Sequence, residues 1–400
     1  MKRVIIYGTG QAFKSLFSGN DILEWMRIND ISIVGVAKTN PDKSGQYVNI
    51  SDTTYEIKHI GDFAEDLYDY ILVTTTKHFE EIRTFLMSQG ISEDIVFAIE
   101  DFFDKIVNET SKCKYNISIV AIVKDEAEYI EEWLQFHIFM GIEHFYIYDN
   151  NSSDDTAKIL KEYEKRGLVT YIFWPGICQQ IPAYSNAINS FKNDSIYIAF
   201  IDVDEFLFSP TGNKIFDELD QIWNQYKESY NPLFEKKPAA IGVNWRRYGT
   251  SFYTDRPDDL VIKRFIFRSR DNEGNDITIK SICNPRAVVR MSGAHHAKFL
   301  PGFCCISEYG SEIPGPFFRD GRCQRLRINH YVSKSEEEFI KRKRKGDADL
   351  DKNFRWQNEE WMKNSLRLYR TKFNEFYDPI LVKYCDLVEN LIKKFRSEYM

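Results

Sequence analysis

Cysteine is scarce and unpatterned in this chain. Seven residues lie at 113, 178, 283, 304, 305, 323 and 385. The number is odd and no Cys-x-x-Cys occurs, which excludes a disulfide framework and a zinc ribbon and points to a reducing compartment. Positive charge is in deficit too. The net charge of −7 has the wrong sign for a general nucleic-acid binder, which needs a basic footprint. Long apolar runs are missing, so no segment spans a bilayer and any membrane contact is expected to be peripheral. Lys2 and Arg3 lead at once into an apolar strand at 4–7 rather than a leader peptide, and a cytoplasmic location is the expectation.

What is present suits a globular protein of more than one core. Four hundred residues exceed what a single hydrophobic core usually organises, so two domains are expected. Aromatics reach 15%, which fits large cores and sugar-stacking surfaces equally.

Residues 1–110 read as a small βαβ domain. Strands are expected at 4–7, 31–37, 70–74 and 95–98, with a helix bearing Phe79, Ile82, Phe85 and Leu86 on one face. Gly8-Thr9-Gly10 opens the first helix as a dinucleotide-binding turn would. The third fingerprint position is Phe13, and Lys38 stands where a ribose-binding acid belongs. A Rossmann-like structural module is favoured over a working NAD site. The segment resembles the short nucleotide- or sugar-nucleotide-binding modules found beside bacterial sugar-modifying enzymes.

Residues 104–114 are polar and read as a linker, after which a second α/β unit begins. Its strands at 117–123 and 145–148 end in Lys124-Asp125-Glu126 and in Asp149-Asn150-Asn151. The centre of the chain is 198–208, where Ile-Ala-Phe-Ile runs into Asp202-Val-Asp204-Glu205 and then Phe-Leu-Phe. Such a run reads as a strand buried on both faces. Carboxylates there need a partner, because burying an unpaired charge costs several kcal/mol. Asp202 and Asp204 are two apart and would share one side of an extended strand. Two oxygen ligands on one side suit Mg²⁺ or Mn²⁺. The plainer reading, a polar strand end met by Lys or Arg, stands beside it.

Here the residues carry a resemblance. Lys124-Asp125-Glu126, Glu132-Trp133, His137, Gly141, the 144–154 segment, Asp202-Val-Asp204-Glu205-Phe206-Leu207, Trp245-Arg246-x-Tyr248-Gly249, Lys280-Ser281 and Asn329-His330-Tyr331 follow in the order of a family 92 glycosyltransferase domain. The front half is also similar to family 2 enzymes. The resemblance implies an α/β, nucleotide-diphospho-sugar transferase (A-type) fold preceded by the small Rossmann-like domain. The catalytic domain would cover 111–346, with a helical extension at 347–400 packed on it, an interfacial helix being the alternative.

The implied activity is transfer of a sugar from a nucleotide-sugar, a UDP-sugar by resemblance, to a glycan or lipid-linked acceptor in surface polysaccharide synthesis. Asp202 and Asp204 would be catalytic and, with His330, would hold Mn²⁺ or Mg²⁺. Lys124, Glu126, Asp149, Asn150 and Gln180 would face the nucleotide or the sugar. A diphosphate also needs protein cations. Arg246, Arg247, Lys263, Arg264, Lys280 and the run 341–345, with Lys343 named from it, are the candidates; a solvated helix face or contact with anionic lipid are equal readings of that run. An inverting transfer needs a carboxylate base. Asp255, Asp258, Asp259, Glu308, Glu312 and Asp320 are open to that role, and Glu308 is named from them for its Gly- and Pro-rich loop. A glycoside hydrolase and a non-catalytic sugar-nucleotide-binding protein are the rivals.

Overall fold

The computed structural model describes residues 1–41, 45–229, 236–271, 277–319, 321–345 and 359–399. The chain divides into two compact units. The first gathers Met1–Lys112 with Arg286–Val289, and the second holds Cys113–Pro285 and Arg290–Met400.

In the first unit the apolar segments β1 (Lys2–Tyr7), β2 (Ile31–Ala37), β5 (Tyr70–Val73) and β6 (Val96–Ala98) form parallel neighbours in the order β2-β1-β5-β6. Helices α1 (Gln11–Leu16), α2 (Asp21–Ile28), α3 (Phe79–Ser88) and α4 (Ile99–Val107) supply the crossovers that parallel strands require. A hairpin of β3 (Gln46–Ile50) and β4 (Thr53–Lys58) extends the sheet beyond β2. Gly8, at the end of β1, has φ +100° and stands where a Cβ would meet Thr74 Oγ1 at 3.0 Å.

The second unit is built on a ten-stranded mixed sheet. Its parallel half contains β7 (Tyr115–Val123), β8 (His144–Asp149), β9 (Val169–Phe173) and β10 (Ser195–Phe200), in the order β10-β7-β8-β9. β7 is buried almost throughout, as its unbroken apolar run requires. Helices α5 (Ile130–Phe139), α6 (Thr156–Glu164) and α7 (Gln180–Phe191) connect these strands. The other half continues β10 through β13 (Ile279–Cys283), β12 (Lys237–Arg247) and β16 (Arg327–His330) to β11 (Glu205–Phe208). β14 (Phe303–Ile306) also pairs with β12 and carries β15 (Glu312–Ile313). Helix α8 (Ile215–Ser229) follows β11, and α9 (Glu336–Lys345), α10 (Glu359–Arg370) and α11 (Cys385–Tyr399) close the chain. On α11, Phe395 stacks on Tyr163 of α6 at 3.9 Å, and Arg396 pairs with Glu131 of α5. The α/β class expected from the sequence is the one observed. No helix among the described residues is long and apolar enough to cross a membrane.

Candidate active site

The segment expected as one strand over 198–208 is two strands with a turn between them. Glu205 N–H donates to Asp202 O at 3.0 Å, and Glu205 Oε2 accepts Asp202 N–H at 3.1 Å. The turn separates the two aspartates, which an unbroken strand would have set on one side. Asp202 Oδ1 accepts from Gln180 Nε2 at 2.8 Å and from Tyr184 OH at 3.2 Å, and its Oδ2 accepts from Lys280 Nζ at 2.9 Å. Asp204 Oδ2 instead lies 2.7 Å from Arg342 Nη1 and 3.5 Å from His330 Nε2. Both Asp204 oxygens are buried and neither makes a hydrogen bond of good geometry.

Helix α5 fixes this turn from behind. Trp133 Nε1 donates to Glu205 O at 2.8 Å. His137 Nε2 accepts Leu207 N–H at 3.0 Å, so its Nδ1 carries the proton and donates to Trp133 O at 2.8 Å. Glu132 takes the N–H groups of Val261 and Ile262 at 2.8 and 3.0 Å. From the front, the antiparallel register of β11 on β16 sets Glu205 opposite His330, and Tyr331 N–H donates to Asp204 O at 2.8 Å. His330 is also opposite Arg247 of β12, and its ring lies 4.2 Å from that of Trp245.

Burial and charge together set the protonation states. Burial raises the Asp202 carboxyl, but the charge and hydrogen bond of Lys280, together with His295, hold it below the ordinary range. Asp204 is also penalised by burial, yet Arg342 and then His330 hold it well below that range. Glu205 is wholly enclosed, and burial pushes its carboxyl well above the usual value despite Lys280. Burial lowers Lys280, and Asp202 and Glu205 more than reverse this. Burial keeps His330 below its ordinary value even beside Asp204, which leaves a neutral imidazole. The centre therefore holds two ionised aspartates, an enclosed Glu205 and two cations.

A third cation is buried close by. Lys334 sits 4.0 Å over the Tyr129 ring, in a left-handed conformation at φ +51°. It lines a cleft with Glu126, Glu128, Tyr129, Glu338, Lys341 and Arg342, and burial lowers its ammonium pKa. Glu338 is paired with Arg264 at 3.2 Å and accepts Tyr129 OH at 2.9 Å, and so pins α9 beneath this cleft.

Comparison with known proteins places this geometry in a family. A sequence model of glycosyltransferase family 92 matches residues 116–366, more than half of the chain. The chain belongs to glycosyltransferase family 92. Residues 1–97 match a second model, described as C2185-like, N-terminal. A family 92 protein of Ricinus communis is 25% identical over 201 residues, covering 48% of this chain and 33% of its own length. One of Arabidopsis thaliana is 26% identical over 199 residues, with coverages of 48% and 33%. The match thus spans about a third of these curated relatives. Among solved structures, Staphylococcus aureus TarS 1–349 in complex with UDP-GlcNAc gives a TM-score of 0.32 at 10% identity, covering 59% of this chain and 68% of that one. Family and sheet agree on the A-type nucleotide-diphospho-sugar transferase fold.

The family 92 blocks found in the sequence thus divide into supports and site. Trp133 and His137 hold the backbone at Glu205 and Leu207, Glu132 holds that of Val261 and Ile262, and Asp202, Asp204, Lys280 and His330 gather at the turn. The expected metal triad is not assembled. Among the described residues, no group of three His, Cys, Asp or Glu side chains is placed to hold an ion. Asp202 is turned away toward Gln180, Tyr184 and Lys280. Asp204 Oδ2 and His330 Nε2, 3.5 Å apart, are the acid–imidazole pair that comes nearest to that expectation, with Arg342 Nη1 standing 2.7 Å from the same oxygen.

Other expected residues fall at several distances from this centre. Gln180 reaches it directly. Glu126 lies in the Lys334 cleft, and Lys124 is half-buried at the end of β7. Asp149 holds its own loop, accepting Ser152 N–H at 2.9 Å and Tyr171 OH at 2.7 Å. Asn150 Nδ2 donates to Trp174 O and Gly176 O.

Three assignments are corrected. Arg246 is anchored to Asp271, Trp245 O and Gly321 O, and its strand neighbour Arg247 is the residue opposite His330. Lys343 lies over the Phe339 and Trp361 rings, and Arg342 is the residue of that run that meets Asp204. Glu308 accepts the N–H groups of Gln324, Arg325 and Leu326 at 2.8–3.0 Å, a structural role that occupies both oxygens. Asp320 and the side chains of Arg344 and Lys345 fall outside the described residues. Lys334 was not foreseen, although Ser335-x-x-Glu338 beside it is a legible capping box; Ser335 N–H donates to Glu338 Oε2 at 2.9 Å, and Glu338 N–H to Ser335 Oγ at 3.2 Å.

Proposed function

We propose that this protein transfers a sugar from a nucleotide-sugar, read as a UDP-sugar, to a hydroxyl of a glycan or lipid-linked acceptor. One observation carries the reading: a buried carboxylate with unsatisfied oxygens faces cations at a turn beyond β10, in a chain of family 92. Open α/β sheets bind ligands outside their strand ends. Breaking a sugar–diphosphate bond leaves negative charge on the departing oxygens, and preorganised cations lower its energy most where water is excluded. Arg342 and Lys334 are placed to receive that charge. Asp204 and His330 would hold Mn²⁺ or Mg²⁺, whose contribution when bound is Lewis-acid neutralisation of the diphosphate. Asp202 is ion-paired with Lys280 and positions the turn and, through Gln180, the start of α7.

A glycoside hydrolase would need one protonated carboxyl facing the sugar. Here the cations beside them hold both aspartates ionised, and Glu205 is wholly enclosed and cannot face a sugar, which favours transfer. A cytoplasmic site at the inner membrane face and a part in surface polysaccharide synthesis complete the proposal. A melting-shift panel of nucleotide-sugars, with and without Mn²⁺, tests it. A shift with UDP-sugars that needs Mn²⁺ is the expected result; no shift with any nucleotide-sugar overturns the reading.

A further inference from the structure

Lone apolar side chains on a surface mean little, but contiguous ones mark contact sites. After β12 the chain presents such a group. Phe252 is 65% exposed and Tyr377 57%. The half-buried Phe267 lies between them, 5.2 Å from Phe252 and 5.4 Å from Tyr377, ring centre to ring centre. Ser251 and Phe252 both hold left-handed backbone, at φ +47° and +68°. That conformation is unfavourable for a bulky side chain and persists only where the surroundings enforce it, commonly at ligand contacts.

The enforcement is visible. Asn374 Oδ1 accepts Ser251 N–H at 2.9 Å, and Ser251 Oγ accepts the N–H groups of Ile266 and Phe267 at 2.9 and 3.2 Å. A Cβ on Gly249 would stand 2.3 Å from Asn374 Oδ1 and 2.5 Å from Tyr369 O, so the backbones can approach only at glycine. The loop is also continuous with the candidate site. Tyr248 N–H donates to His330 O at 3.0 Å, and Glu336 and Glu337 at the start of α9 donate their N–H groups to Tyr253 O and Thr254 O. That same helix carries Arg342 to Asp204.

We propose that Phe252, Phe267 and Tyr377 form a platform for a neutral oligosaccharide, the acceptor side of the transfer, an assignment that rests on the reading above for the word acceptor. Flat rings bury the C–H faces of sugars, and polar groups at their rim bind hydroxyls. The rim here is balanced in charge. Arg270 pairs with Glu375 at 3.0 Å and Lys372 with Glu375 at 3.3 Å, while Arg268 lies between Asp378 at 2.6 Å and Asp271 at 2.8 Å. Arg246 and Arg327 join Arg268 on Asp271 and Asp378 from below, and among the described side chains that reach solvent two cations, Arg270 and Lys372, stand with two carboxylates, Glu375 and Asp271. An anionic lipid surface selects clustered Lys and Arg, so this balance argues for an uncharged, polyhydroxylated partner.

The full-length protein and its Phe252→Ala/Tyr377→Ala double variant, changed only at exposed positions, are compared on an array of neutral hexose and N-acetylhexosamine oligomers. Retention of at least one oligomer by the wild type, weakened tenfold or more in the variant, is the expected result. Equal binding by both proteins overturns the platform, as does no binding by the wild type. If the variant instead loses binding to phosphatidylglycerol vesicles, or loses a dimer seen by sedimentation, the patch belongs to those partners and the proposal fails. Melting shifts with nucleotide-sugars are read in parallel. Their absence in the wild type counts against the transfer reading, and the array result stands by itself.

Discussion

Asp204 and Lys280 show how single residues divide the work of this centre. Asp204 is buried and ionised, and its charge faces Arg342, one of the residues that line the Lys334 cleft. Replacing Asp204 with Asn keeps its shape and removes the charge; nucleotide release from the donor should then slow by about 10²–10³-fold, the scale of losing one preorganised electrostatic group. An unchanged rate would remove Asp204 from the reaction. Lys280 is the structural counterpart, almost wholly enclosed between Asp202 at 2.9 Å and Glu205 at 3.4 Å. Lys280→Met takes the cation from the Asp202 carboxylate, which is one-third exposed and keeps Gln180 and Tyr184, and should cost about 1–3 kcal/mol in urea unfolding. The residue types at this centre were legible in the sequence, but their directions were not. Arg246 and Arg247 differ only in which face of β12 they occupy, and Arg342 and Lys343 only in their angle around α9. Parity on a strand depends on a register that only the assembled sheet defines.

Helix α5 illustrates the same point at the scale of an element. Its helical spacing of Ile130, Trp133, Leu134 and His137 was readable from the sequence, yet the helix is buried on nearly all sides, so its polar residues face protein rather than water. Burial raises the Glu132 carboxyl from 4.5 to about 7 and lowers the His137 imidazole from 6.5 to about 3. The two have opposite linkage to folding. Folded Glu132 keeps a proton that the unfolded chain releases above pH 4.5, so its contribution to stability falls as pH rises toward 7. Unfolded His137 gains a proton below pH 6.5 that the folded chain refuses, so its contribution falls as pH drops. Between pH 4.5 and 6.5 they oppose each other. Glu132→Gln should therefore make the melting temperature climb more steeply with pH across that window, and His137→Gln should make it flatten or decline. Melting at pH 5.0 and 6.5 decides, and two profiles parallel to wild type would refute the pairing. The β3–β4 hairpin was the element the sequence reading missed. Each of its strands buries a single residue, Ile50 or Ile57, and such strands lack the continuous apolar signal that revealed β7 and β8.

At the scale of the whole molecule, two compact units make separable predictions. Gly10 has open space around its Cα and ordinary backbone, so Gly10→Ala should alter stability by no more than about 0.5 kcal/mol. Gly8→Ala meets both Thr74 and a positive φ and should cost about 1–2 kcal/mol, measured by thermal unfolding. If the transfer reading holds, Gly10→Ala also leaves the Mn²⁺-dependent nucleotide-sugar shift in place; loss of that shift would move donor binding to the first unit. The turn at Asp202–Glu205 has one more consequence, concerning the order in which the chain is made. Both aspartates and Glu205 are synthesised well before Lys280, His330, Lys334 and Arg342, which supply every counter-charge described around them. A ribosome that has released β10 and β11 has therefore released acids with no counter-charge, only Gln180 and Tyr184 being there already for Asp202. Asp204 cannot leave water until some 140 further residues have emerged from the ribosome, so β11 should dock against β16 late in synthesis and chains truncated before residue 330 should keep this turn solvated.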